Sequence, residues 1–148
     1  VLVPDAARPM LAEAFAQALL EREPGATPEQ CGQAREKAFR APVLMLVVVD
    51  GERGDPEIDL AERLLSAGCA VQNMLLMATA QGYGSALTSG KALKAASLRA
   101  LFRLSACEQA LCFISIGTVL SRKAARARPM AGTYVSTLDA DRGVVPGF

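Results

Sequence analysis

Histidine and tryptophan are absent from this 148-residue chain. Without histidine a Ser-His-Asp triad cannot be assembled, and no imidazole can complete a zinc site. Cys31, Cys69, Cys107 and Cys112 are widely spaced and form no CxxC pair, which removes the usual signature of a metal or disulfide framework. Neither sign of charge dominates: 16 Lys and Arg against 15 Asp and Glu leave a formal charge of +1. Bulk electrostatics therefore argue for neither a nucleic-acid partner nor a membrane surface. Long hydrophobic runs are missing too. Gln72 and Asn73 interrupt the longest one, which falls short of the roughly 18 apolar residues that a spanning helix needs. The basic stretch near the C-terminus lacks interleaved aromatics, so it gives no sign of single-strand stacking.

Glycine-based motifs are also wanting. Gly82, Gly84 and Gly90 do not make a dinucleotide fingerprint, because Leu87 stands where the third glycine belongs. No P-loop and no GxSxG elbow occurs. Asp50, Glu52 and Asp55 lie in a polar stretch typical of surface turns, which is a weak setting for paired catalytic carboxylates. With so few catalytic side chains, the chemistry is expected to belong to a cofactor.

What is present fits one domain, 1–148, since half the residues are hydrophobic and the length suffices for a real core. Val1–Val3 read as the end of a strand, and the chain opens without methionine, as though its natural beginning were missing. Asp5 is placed to cap a helix over about 8–21 whose buried face carries Leu11, Phe15 and Leu19. Thr27-Pro28-Glu29-Gln30 reads as a capping box that opens a helix to about Phe39. Seven apolar residues, 43–49, predict a strand covered on both faces. A long helix is predicted over about 57–81, with a stripe of Leu60, Leu64, Ala67, Val71, Met74 and Ala78. From Cys69 to Ala80 nearly every side of it is apolar, so it should lie within a packed interior. Ser66-Ala67-Gly68 would admit another backbone closely, from this chain or from a second copy. Gly82 suits a left-handed helix stop. A helix over about 95–103 and a second buried strand over 110–116 follow. The segment 121–148 is expected to be a tail lying over another surface, basic at Ser121–Pro129. Cys69 and Cys112 sit in apolar patterns and should pack as buried thiols. Free thiols point to a reducing compartment, the cytoplasm.

Two segments admit a binding reading. Ala86-Leu87-Thr88-Ser89-Gly90 could be a plain connector, or a loop whose backbone N–H groups meet a flat ring. The cations from Arg122 to Arg128 could be a solvated loop or a phosphate clamp.

The segments RAPVLMLVVVD, SAGCAVQNMLLMATAQGYGSALTSG, CFISIGTVL and ARARP occur in an order and spacing that resembles the FMN-dependent nitroreductases, especially their short bacterial subfamily. The resemblance implies an α+β, three-layer fold with a mixed sheet flanked by helices, working as an obligate homodimer with FMN at the subunit interface. It implies that Leu87, Thr88, Ser89 and Gly90 line the flavin, with the Ser89 and Gly90 N–H groups near N5 and O4. Arg126 and Arg128 match the family's phosphate-holding basic pair. The activity implied is ping-pong transfer of a hydride from NAD(P)H through FMN to nitroaromatic or quinone-type acceptors. A non-catalytic flavin-binding or dimerisation module, or an oxygen-dependent enzyme that consumes reduced flavin, would use the same fold. Two departures stand out: the family's Arg-rich phosphate segment and covering loop would precede Val1, and Leu87 replaces a frequent tryptophan. The resemblance therefore implies weakened FMN binding by this chain.

Overall fold

The computed structural model describes residues 1–121, 124 and 126–147. Helix α1 (Arg8–Arg22) follows a tight 3₁₀ turn at Asp5–Ala7. Asp5 is therefore inside that turn and caps nothing; Ala7 holds the cap position, and proline in the first turn starts the helix instead. Helix α2 (Pro28–Glu36) opens on the expected capping box, with the Thr27 hydroxyl accepting from the Gln30 N–H and the Gln30 side chain accepting from the Thr27 N–H. A 3₁₀ turn, Lys37–Phe39, leads into strand β1 (Val43–Asp50). Val1–Val3 lie alongside β1: the Val3 N–H donates to Leu44 O and the Leu46 N–H to Val1 O.

Helix α3 spans Leu60–Ala80 and starts three residues later than the periodicity suggests, because the Asp59 carboxylate accepts the Glu62 N–H and fixes the first turn there. It stops as expected at Gly82, whose φ is +84°. The Tyr83 N–H reaches Ala78 O and the Gly82 N–H reaches Thr79 O, the paired bonds of a Schellman stop. Strand β2 (Gly84–Thr88) follows directly, so the supposed loop at Leu87 and Thr88 is an edge strand. A 3₁₀ turn at Lys91–Lys94, helix α4 (Ala96–Phe102) and strand β3 (Glu108–Gly117) complete the main body.

The sheet runs β1-β3-β2. Every strand pairing among the described residues is antiparallel, which corrects the expected mixed sheet. The reason lies in the order: β3 sits between β1 and β2 and runs against both, so β1 and β2, which share a direction, never meet. Leu46 faces Phe113 and Met45 faces Ile114 across β1 and β3, and side-chain alternation turns these two pairs to opposite faces. On the Leu46 face, Leu11, Phe15, Ala38, Leu93 and Leu98 build the larger core. On the Met45 face, Ile114, Cys112 and Val47 meet Val71 and Leu75 of α3. The result is three layers: α1, α2 and α4, then the sheet, then α3.

That second face is thinly covered. Only Val71 and Ala78 of α3 are buried, while Leu65 is 71% exposed and Leu76 and Met77 are 58% exposed. Cys69 is exposed, against expectation, because it stands on the side of α3 turned away from the sheet. Cys112 is buried as expected, and that burial pushes its thiol pKa up. A Cβ built on Gly68 would meet nothing within 4 Å. Among the described residues, the close backbone approach foreseen at Ser66-Ala67-Gly68 is thus not made at Gly68.

The tail holds local structure that its lack of periodicity does not announce. Its described residues form a 3₁₀ turn, Ala131–Thr133, and a hairpin of β4 (Ser136–Asp139) and β5 (Gly143–Pro146). The Asp139 carboxylate accepts the Asp141 and Arg142 N–H groups, and Gly143 supplies a φ of +72°, so the turn has strong local determinants. Of the basic stretch, Arg122 and Lys123 lie outside the described residues, as does Phe148 at the chain end.

Several exposed carboxylates tie elements together. Glu13 accepts two bonds from Arg35 of α2, at 2.7 and 3.0 Å. Glu21 accepts the Ala96 and Ser97 N–H groups that open α4. The Arg35 bond lowers the Glu13 pKa, the Ser97 side-chain and backbone bonds lower that of Glu21, and the Glu52 and Arg53 N–H groups lower that of Asp50. Each folded-state pKa is below its unfolded value, so the unfolded chain binds more protons through this window. The stabilisation is present above the ordinary carboxylate range and is lost as pH falls through the folded values. Thermal melts should therefore show Tm falling from about pH 5 downward. The double variant E13Q/E21Q should start lower and fall less steeply; an unchanged slope would contradict the assignment.

Candidate functional site

A cleft of about 500 Å³ opens on the side of the sheet that faces α1. Its apolar floor comes from Phe15 and Leu19 of α1 and from Leu44 and Phe113 of the two long strands. The sheet alternation explains this: Leu44 and Phe113 share the face that packs on α1, and Thr88 is the register partner of Phe113 on β2. Where β2 ends, Thr88, Ser89 and Gly90 form one wall. Among the described residues, no carbonyl accepts a bond from the Ser89 or Gly90 N–H. Gly90 is extended, with φ and ψ both 176°. A Cβ built on it meets nothing within 4 Å, so the backbone borders open space there.

Four cations also line the cleft: Arg22 ends α1, Lys37 opens the 3₁₀ turn before β1, Arg40 follows that turn, and Lys91 follows Gly90. No Asp or Glu lines it. Arg22 bonds Glu23 at 2.9 Å, whereas Lys37, Arg40 and Lys91 have no ion pair among the described residues. A cleft lined by an apolar floor, the Ser89–Gly90 backbone and several cations suits a flat ligand carrying negative charge.

Of the residues the sequence singles out, Thr88, Ser89 and Gly90 lie together at one cavity. Leu87 is on the other sheet face, paired with Ile114, and does not line the cleft. Arg126 and Arg128 are exposed and do not line it either. Sequence reasoning missed Arg22, Lys37, Arg40 and Lys91. Lys37 and Arg40 precede strand β1, which was the available hint, but only the fold brings them to the same cleft as Gly90.

A second hollow, of about 660 Å³, lies beside α3 and is lined by Met74, Met77, Tyr83, Val43 and Ile116 among others. It is apolar in character and continuous with the exposed side of α3. Among the described residues no three His, Cys, Asp or Glu side chains gather as a metal site, and no helix is long and apolar enough to cross a membrane.

Comparison with known proteins agrees with this architecture. The Bacillus cereus nitroreductase-like family protein superposes with a TM-score of 0.73 at 17% identity, covering 88% of this chain and 67% of that one. The FMN-dependent nitroreductase NfnB from Mycobacterium smegmatis, solved in complex with NADPH, gives 0.59 at 20% identity, covering 81% and 67%. In sequence, 94 residues are 32% identical to an Escherichia coli K12 protein whose provisional name is NAD(P)H nitroreductase YdjA, covering 64% of this chain and 51% of that protein. A Haemophilus influenzae relative, named provisionally in the same way, is 31% identical over the same length. The chain thus spans about half the length of the curated relatives it matches. The sequence profile of the Nitroreductase family matches residues 1–118, from the strand-like N-terminus through the end of β3. This chain belongs to the nitroreductase family.

Proposed function

We propose that this chain is an FMN-dependent NAD(P)H oxidoreductase that reduces nitroaromatic or quinone-type acceptors. The observation that carries the reading is the cleft itself: Thr88, Ser89 and Gly90 share its lining with Arg22, Lys37, Arg40 and Lys91 around an apolar floor, and among the described residues no carbonyl accepts from the Ser89 or Gly90 N–H. These features fit FMN, whose ring is flat, whose ring edge offers acceptors and whose phosphate is anionic. When bound, FMN supplies reversible hydride acceptance, so the protein needs no histidine base. The Ser89 and Gly90 N–H groups donate to the ring edge and fix its orientation. Phe15, Leu19, Leu44 and Phe113 exclude water from one side. Lys37 and Arg40 complement the ligand's negative charge.

The functional unit in this reading is a homodimer. Its support is the exposed apolar side of α3, with Leu65, Leu76 and Met77, together with the hollow beside Met74 and Tyr83. Ser66-Ala67-Gly68 then meets a second copy. Four free cysteines fit a cytoplasmic setting.

An anaerobic titration tests the function. Quenching of FMN fluorescence by the chain, followed by bleaching with NADPH or NADH and recovery on adding a quinone or nitroaromatic, is the expected result. Flavin binding without NAD(P)H oxidation would identify a binding module instead. Reoxidation that requires only oxygen and yields an oxygenated product would identify the oxygen-dependent alternative. Absence of flavin binding would overturn the reading for this chain.

A further inference from the structure

We infer that Arg8 is a positioning residue for the cations of the cleft, acting by holding the 38–42 connection, from which Arg40 projects and which Lys37 directly precedes. The inference rests on the flavin reading of that cleft. Arg8 is 3% exposed and is the one buried charged side chain among the described residues. It has no carboxylate partner there. Its guanidinium instead donates to three carbonyls: Nε to Val3 O at 3.1 Å, Nη1 to Ala38 O at 2.7 Å, and Nη2 to Pro42 O at 3.0 Å.

Burying a cation without a counter-charge is costly, so an apolar residue of similar size would be the cheaper way to fill that space. What the guanidinium adds is geometry. Its planar fork can bind divergent acceptors at once, which a lysine ammonium cannot match. Two of its three acceptors bracket the short segment that carries Arg40, and Ala38 directly follows Lys37. Among the described residues, the backbone of Arg40 and Ala41 bonds to no other segment. Phe39 is 57% exposed, so its side chain does not anchor the segment either. Besides the buried Ala38, which packs in the core with Leu11, Arg8 is then the hydrogen-bonded tie between this connection and the start of α1. Loosening it leaves both cleft cations in place chemically but lets them wander from the ligand.

The variants R8M and R8K test this against the wild-type chain. Three readouts are needed: FMN dissociation constant at fixed ionic strength, thermal melting, and native-state amide exchange. The inference expects folded R8M to bind FMN at least about tenfold more weakly, with faster exchange at 37–42 and unchanged exchange in β3. R8K keeps the charge but loses the fork, and should weaken binding in the same direction. A purely structural role would lower Tm without moving the dissociation constant of the folded molecules. Binding within about twofold of wild type in a folded variant overturns the inference and leaves the proposed function standing. Wild-type chain that binds no FMN overturns both. If R8M fails to fold, R8K decides alone by the same criterion.

Discussion

Replacing Phe113 by alanine should lower the unfolding free energy by about 3–5 kcal/mol. Phe113 is 6% exposed on the central strand. Its ring meets Phe15 edge-on, with centroids 5.5 Å apart at 71°, and Phe102 at 6.3 Å. These contacts join α1 and α4 through the sheet, so truncation removes packing from three elements at once. The cavity cannot close easily, because Leu46 and Leu98 beside it are already fully buried. A chain of this size has about 5–15 kcal/mol to lose, and one face of its sheet is thinly covered. The loss should therefore appear as a Tm drop of roughly 6–20 °C. F113L, which keeps most of the volume, should cost under about 2 kcal/mol. A drop below about 1 kcal/mol in F113A would mean that the α1–sheet–α4 layer is not the main core.

Much of that core was legible beforehand, for a physical reason. Short-range signals act within a few residues and need no tertiary context. The Thr27 capping box, the stop at Gly82 and the α1 stripe of Leu11 and Phe15 come out as read, and the seven-residue apolar run before Asp50 is a strand, though one of its faces is only partly covered. Asp5 failed because the chain needed a tight turn there before proline could open α1. Cys69 failed differently. Apolarity around a helix says that something should cover it, but not that this chain provides the cover. The tail hairpin was missed because β4 and β5 are four residues each, too short for a periodic pattern. Its turn chemistry at Asp139 and Gly143 was the overlooked signal.

The candidate site divides along the same line. Thr88, Ser89 and Gly90 were found through family resemblance, and they do border one cavity. Leu87 was grouped with them because sequence neighbours were treated as a loop. Once β2 is a strand, consecutive residues point to opposite faces, and Leu87 leaves the cleft. The cationic wall was invisible, since Arg22, Lys37, Arg40 and Lys91 span 69 positions of sequence, and an isolated surface lysine or arginine carries no message of its own.

That wall yields the second large effect. The double variant K37M/R40M should weaken FMN binding by about 10²–10³-fold, while Tm stays close to wild type. Both residues are exposed and have no ion pair among the described residues, so the fold should not depend on their charge. A hydrogen bond to a charged group contributes about 1.5–3 kcal/mol, and two neighbouring cations serving one ligand add less than fully. Because the cleft is open to solvent, the wild-type advantage should shrink as salt rises, whereas the variant should respond less. The variant R126M/R128M provides the comparison. If both pairs weaken binding, the ligand's charge is shared between the cleft wall and the tail. If only the tail variant does so, Lys37 and Arg40 are ordinary surface cations, and the phosphate lies outside this cleft. If only the cleft variant does so, the resemblance misplaced the clamp, and the 3₁₀ turn before β1 holds the charge that recognises the ligand.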